Sequence, residues 1–143
     1  MISQATKGLC RSGFTLVEVL LTVAIIGVMA SIAISKFSNA ADDSREVIVR
    51  QQQAALQTAV NNWVAGSATL SVSELRSLYN NEADSLARLN LVKIYLDDLT
   101  YEHFIEYTDS SNQLETQALS RLGKHLTLPT WADGSYPKVE LLP

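Results

Sequence analysis

Residues 13–34 read GFTLVEVLLTVAIIGVMASIAI, and this stretch decides the architecture of the chain. No charged residue occurs between Val19 and Ile34, and Glu18 is the only charge in the run. A helix rises about 1.5 Å per residue, so Phe14 to Ile34 would span roughly 31 Å, enough to cross the hydrocarbon core of a bilayer. The sequence therefore predicts a membrane-spanning helix over residues 14–35.

The residues on either side of this run predict its orientation. Lys7 and Arg11 precede it, and positive charge upstream favours a cytoplasmic N-terminus with the remainder of the chain outside. An ordinary secretory signal has its small cleavage residue after a shorter apolar region, whereas Gly13 stands before this longer one. Hydropathy alone is equally compatible with a plain single-span anchor.

Glu18 is the residue that separates these interpretations. A carboxylate inside an apolar span costs on the order of 2.5–3.5 kcal/mol at the bilayer centre and less near an end. Two roles are open from position alone. Glu18 stays hydrated near the interface, or it pairs with a positive group from another chain.

Taken together, the basic leader, the hexapeptide GFTLVE at 13–18 and the apolar run through Ala30 resemble the processing motif of type IV prepilins and type II secretion pseudopilins. The resemblance implies that residues 1–13 are a leader, that a prepilin peptidase cleaves between Gly13 and Phe14, and that Phe14 is N-methylated. It also implies that Glu18 pairs with the N-terminal amine of a neighbouring subunit. Such a pair offsets two desolvation costs at once.

The resemblance carries further expectations about partners and location. It implies sibling pilin subunits, the prepilin peptidase and the inner-membrane assembly platform with its motor as partners, with membrane lipid around the helix before assembly. The chain would sit in the inner membrane in a single pass and then enter an extracellular or periplasmic filament. Major pilin, minor pilin and pseudopilin all stay open, as do adhesion, motility, DNA uptake and secretion. The alternative is a non-polymerising single-span membrane-anchored binding module.

Small residues within the apolar run are suited to contacts between helices. Gly27 and Ala30 allow close helix approach, and we expect intersubunit packing there. The resembling family commonly has a proline where this chain has Ser35. Proline would remove a helix hydrogen bond. Its absence leaves open whether the helix is straighter or only locally weakened.

Beyond the membrane, the helical pattern continues over residues 36–65 as an amphipathic half. Apolar residues recur near one face at helical spacing: Phe37, Ala41, Ile48, Leu56, Val60 and Trp63. We expect Leu56, Val60 and Trp63 to pack inside the molecule. Gly66 is placed to act as a C-cap of this helix.

Residues 66–143 form the predicted C-terminal region, which the changing patterns divide into short elements. Ser71 and Glu74 have the capping-box spacing and predict a helix through about Asn80. A second helix is predicted over 82–89, strands over 101–108, 113–118 and 139–142, a turn at 109–112 and a loop over 129–137. Residues 119–126 are ambiguous between a strand and a short helix. The predicted fold class is α+β and pilin-like, a long N-terminal helix packed on a small antiparallel sheet with short helices.

Composition and scattered polar residues give little sign of chemistry. The net charge of −4 argues against a nucleic-acid partner, and Cys10, the only cysteine, lies in the predicted leader. His103 and His125 have no nucleophile or acidic partner at a motif spacing. The acidic residues Asp97, Asp98 and Glu102 match no calcium loop and are interpreted as a solvated turn, and Trp131 is assigned to the core. We therefore expect no enzyme activity, no metal and no cofactor.

Overall fold

The computed structural model describes residues 13–143. The predicted leader up to Ser12, with Lys7, Cys10 and Arg11, lies outside the described residues. The chain divides into two units, Met1–Ala40 and Ala41–Pro143. One helix, α1 (Leu16–Gly66), contributes residues to both.

In the first unit, α1 presents its apolar residues outward along the described part. Leu16, Ile34 and Phe37 are between 70% and 75% exposed, and only Ala33 is partly covered. The α1 segment has a mean hydropathy of 2.5 in its most apolar window, with none of that window buried. By length and composition it is the one helix in the described residues suited to crossing a membrane.

In the second unit, α1 supplies one wall of a hydrophobic core. The predicted packing of Leu56, Val60 and Trp63 is confirmed, since these side chains are 0%, 0% and 8% exposed. Ile48, which stands near the same face in the sequence pattern, is 42% exposed, while its neighbour Val49 is fully buried. The reason is helical phase: Val49 lies seven residues before Leu56, which is seven before Trp63, and two turns of helix return to nearly the same face. Phe37 and Ala41, also placed on this stripe, are exposed.

The end of α1 corrects the role predicted for Gly66. Gly66 is the last helical residue, and its φ is not positive, unlike Gly123 and Gly134. A β-carbon at this position would meet the phenol end of Tyr95, with Cζ at 3.1 Å. The glycine therefore permits a close approach of Tyr95 and does not act as a left-handed cap.

Four shorter helices follow, and each begins at a side-chain cap. They are α2 (Val72–Asn81), α3 (Ser85–Val92), α4 (Asp98–Tyr107) and α5 (Gln117–Arg121), with a 3-10 turn at Lys93–Tyr95. The predicted capping box is confirmed: Ser71 Oγ accepts from the Glu74 N–H at 3.3 Å, and the Glu74 carboxylate accepts from the Ser71 N–H at 2.7 Å. The predicted helix over 82–89 is shifted to Ser85, where Asp84 caps it.

Two predicted strands are wrong. Residues 101–108 lie mostly in α4, and 113–118 run into α5. The residues of 101–108 that look alternating also fit a helix, since Tyr101, Phe104 and Ile105 stand at i, i+3 and i+4. Of these three side chains only Phe104 is buried. The cap at Asp97, which accepts from the Thr100 N–H at 2.9 Å, starts the helix.

The sheet is small and antiparallel. It consists of β1 (His125–Thr127) and β2 (Glu140–Leu142), paired so that Leu126 faces Leu141. Leu114 bridges the other edge of Leu126 through two backbone hydrogen bonds of 2.8 and 2.9 Å. The final predicted strand, the turn before Gln113 and the loop over 129–137 are confirmed. The ambiguous stretch 119–126 contains the end of α5 and the start of β1. The predicted α+β class is confirmed by the long helix, the short helices and the two-stranded antiparallel sheet.

The C-terminal segment from Leu128 to Val139 is held on the helices through its backbone. Arg88 donates to the Leu128 carbonyl at 2.7 Å, and the Leu128 N–H donates to Ser85 Oγ at 3.0 Å. The Asn80 amide pairs with both the N–H and the carbonyl of Trp131, at 2.7 and 3.0 Å. Trp131 is 3% exposed, so its assignment to the core is confirmed. A segment with little regular structure thereby satisfies its backbone groups.

Candidate functional site

The predicted cleavage site lies just before the first turn of α1. Gly13, Phe14 and Thr15 have no helical structure, and α1 begins at Leu16. Phe14 is 78% exposed. The peptide bond between Gly13 and Phe14 is therefore in non-helical, uncovered backbone, which is the form of chain that a peptidase can bind in an extended conformation.

Thr15 caps the helix that follows. Its hydroxyl accepts from the Glu18 N–H at 3.3 Å, and its carbonyl accepts from the N–H groups of Glu18 and Val19 at 3.1 and 3.2 Å. This arrangement satisfies backbone donors that an α-helix leaves unpaired in its first turn. The cap fixes where α1 begins and puts the Glu18 side chain in that first turn, where the helix dipole favours a negative charge.

Glu18 differs from the other polar side chains in the apolar run. The hydroxyls of Thr22, Ser31 and Ser35 each donate to a carbonyl three or four residues earlier. Those hydroxyls therefore need no outside partner in an apolar medium. The Glu18 carboxylate is exposed and accepts no hydrogen bond within residues 13–143.

Gly27 and Ala30 lie on the exposed part of α1. A β-carbon at Gly27 would have no atom within 4 Å. Nothing within the described chain therefore requires glycine there. Ser35, at the position of the family's proline, lies within α1, and its hydroxyl bonds to the Ser31 carbonyl at 3.4 Å.

The remaining candidates for chemistry are not brought together. Asp97 is occupied as the α4 cap, and its hydrogen bonds to Thr100 lower the pKa of its carboxyl. His103 is exposed and His125 is half-buried in β1. Among residues 13–143 no group of three or more His, Cys, Asp or Glu side chains is placed to hold a metal ion. Sequence reasoning did not find the buried Arg88, whose long-range partners no local pattern reveals.

The apolar part of α1 lies near the N-terminus and is not buried by the rest of the described chain, which fits a membrane-anchored protein. A narrower class follows from the comparison with known families. The family model described as the prokaryotic N-terminal methylation motif matches residues 9–34. The chain thus carries the signature of type IV pilins and pseudopilins, a class of structural subunits and not of enzymes. No solved structure matches the chain.

Proposed function

We propose that this chain is the precursor of a structural subunit, a pilin or pseudopilin, that assembles into a filament through α1. The observation that supports the proposal is that the family motif and the exposed apolar segment of α1 occupy the same residues. The methylation motif at 9–34 overlaps the segment of α1 whose apolar side chains are exposed and whose one carboxylate has no partner within residues 13–143. Lipid covers such a surface before assembly, and neighbouring helices cover it afterwards.

Processing is the first step. The prepilin peptidase cleaves between Gly13 and Phe14 and methylates the new amine of Phe14. That amine lies four residues before Glu18, in the non-helical backbone ahead of α1. The partner of the Glu18 carboxylate is the Phe14 amine of the adjacent subunit, since an ion pair removed from water needs both charges.

In the proposed filament, the α1 helices of neighbouring subunits pack against one another. Gly27 and Ala30 leave room for the backbone of a second α1 to approach closely. The subunit crosses the inner membrane once with its N-terminus in the cytoplasm, and the inner-membrane assembly platform with its motor extracts it into the filament. The energy for extraction comes from that motor, because the described residues hold no nucleotide-binding motif.

Intact-mass and N-terminal peptide analysis of the protein from its native membrane tests the processing step. The expected chain begins at Phe14 and carries one added methyl group. As a matched control, Gly13→Leu should keep residues 1–13 attached, because a bulky side chain at the cleaved bond blocks access to the peptidase. A wild-type chain that retains Met1 with an unmodified Phe14 would contradict the proposal and favour a plain single-span anchor.

A further inference from the structure

An aromatic side chain stands open to solvent on the second unit, in the loop between Leu128 and Val139. Tyr136 is 65% exposed. Its ring stacks on Trp131 with centroids 6.3 Å apart and planes 24° from parallel. The Trp131 indole N–H donates to the Ser135 carbonyl, and Asn80 holds the Trp131 backbone. The exposed ring therefore rests on a tryptophan that is itself held in place, and it offers aromatic contact area to a ligand.

A shallow pocket of about 560 Å³, wide open to solvent, lies between this ring and α1. Its lining residues are Gln57, Asn61, Tyr136, Pro137, Lys138 and Val139. The volume falls within the range of roughly 300–1,000 Å³ that is usual for small-molecule sites. One flat aromatic wall opposite a polar helix face suits a ring that is apolar on one side and polar at its edge.

The hydrogen bonds around Gln57 decide which polar groups a ligand would meet. Gln57 Nε2 donates to the Pro137 carbonyl and to Asn61 Oδ1, each at 3.0 Å. Gln57 Oε1 accepts from the Val139 N–H at 2.8 Å. The Gln57 amide is thus occupied, and the Asn61 oxygen is taken as well. Asn61 keeps its Nδ2 amino group without a partner among residues 13–143.

The two nitrogen groups at the pocket that have no partner among residues 13–143 are both donors. Besides the Asn61 amino group there is the Lys138 ammonium, which forms no ion pair within the described residues. Donors of this kind favour a ligand that carries acceptors and a negative charge, and hydrogen bonds between ionised groups are the stronger ones. A single cation is too few for a nucleic-acid backbone on a chain of net charge −4.

We propose that this pocket binds an acidic sugar, a pyranose ring bearing a carboxylate. The C–H face of the sugar packs on the Tyr136 ring, the carboxylate faces Lys138, and a ring hydroxyl accepts from Asn61 Nδ2. The pocket lies in the second unit and uses none of the residues assigned to processing or assembly. The inference is therefore independent of the filament function.

Ligand-observed saturation-transfer NMR on the full-length chain tests the proposal, in micelles of a detergent without a sugar head group. The probes are methyl glucuronide and methyl glucoside, which differ only in the carboxylate. We expect saturation of the ring C–H protons and an affinity about tenfold higher for the glucuronide, the size of effect that one charge-assisted hydrogen bond supplies. Absence of transfer to both probes, or equal affinity for both, would overturn the proposal.

Variants assign the effect to the named side chains. Tyr136→Ala should remove the signal, while Tyr136→Phe should keep it because the ring remains. Lys138→Gln should bring the glucuronide down to the glucoside level. Lys93→Gln is the matched control, since Lys93 also lies beside a tyrosine, 4.5 Å from the ring centroid of Tyr101, but away from the pocket. Binding that survives Tyr136→Ala, or that falls equally in Lys93→Gln, would contradict the assignment.

Discussion

At the scale of single residues, two charged side chains in this chain have opposite relations to their surroundings. Glu18 is exposed and accepts no hydrogen bond within residues 13–143. Arg88 is 7% exposed and donates to three carbonyls, those of Tyr79, Glu82 and Leu128, at 3.2, 2.9 and 2.7 Å. An exposed carboxylate on an apolar helix is consistent with the pairing to another subunit that we propose. A buried guanidinium whose three nitrogens each donate to a backbone carbonyl points to a structural role.

Glu18→Ala should therefore impair assembly without unfolding the second unit. Removing the carboxylate leaves the proposed amine partner uncompensated in an apolar bundle, and breaking such a pair costs about 3–5 kcal/mol. We expect at least a tenfold loss, as an order of magnitude, of subunit in the sheared filament fraction, with normal amounts in the membrane. Glu46→Ala is the control, because Glu46 is on α1 but already pairs with Arg50 at 2.8 Å. Normal filament levels of Glu18→Ala would refute the pairing.

Arg88→Met should destabilise the second unit. The substitution keeps much of the side-chain volume but leaves three carbonyl acceptors without their donor, and each buried acceptor left unpaired costs about 1–3 kcal/mol. We expect a loss of roughly 3–5 kcal/mol in the free energy of unfolding by denaturant. Arg50→Met, which breaks an exposed ion pair, should change it by less than about 1 kcal/mol. Equal effects of the two substitutions would show that the Arg88 bonds contribute little.

At the scale of elements, local chemistry decided what the sequence could predict. The α2 cap was predictable because Ser71 and Glu74 stand three residues apart. The strand predicted at 101–108 failed because its polar and apolar residues fit two periods, and the cap at Asp97 selects the helix. The contacts of Gln57 and Arg88 were out of reach, since their partners lie as far as 82 and 40 residues along the chain. Periodicity carries no information about such pairings.

Ser71→Ala should weaken α2 through the loss of its cap. The Ser71 hydroxyl accepts from the Glu74 N–H and also donates to the Glu74 carboxylate at 2.7 Å. Loss of an N-cap serine costs about 1 kcal/mol. Thermal unfolding followed by circular dichroism should show a lower midpoint for Ser71→Ala than for wild type. Ser77→Ala, an exposed serine within the same helix, should melt close to wild type.

The same cap makes the stability of α2 dependent on pH. Hydrogen bonds from the Ser71 side chain and backbone lower the pKa of Glu74 below its usual 4.5. A lowered folded-state pKa means that the contribution is complete above the unfolded pKa and is lost as pH falls through the folded value. The advantage of wild type over Glu74→Gln should hold at pH 6 and shrink below about pH 4.5. Melting curves of both proteins over that range measure it, and a constant difference would contradict the argument.

At the scale of the whole molecule, the two units are stabilised by different means. The described part of the first unit buries none of its apolar window, so its helix has no hydrophobic cover within residues 13–143. The second unit has its own core, in which Trp63, Tyr79 and Trp131 pack with ring centroids 6.1 and 6.3 Å apart. Burial raises the pKa of Tyr79 to about 12, as expected for a phenol shielded from water. Substitutions in the second unit should therefore change the free energy of unfolding of that unit.

Truncation after Leu128 tests how far that core depends on the C-terminal segment. The deletion removes Trp131, Val139 and β2, and it leaves Trp63 and Tyr79 uncovered. Loss of the Trp131 side chain alone corresponds to about 3–5 kcal/mol, a large part of the 5–15 kcal/mol that usually stabilises a domain. The truncated chain in micelles should lose its near-ultraviolet aromatic circular dichroism while keeping α1 helicity in the far ultraviolet. Deleting only Pro143 is the control, and an unchanged aromatic signal after the longer deletion would show that the helices hold the core without this segment.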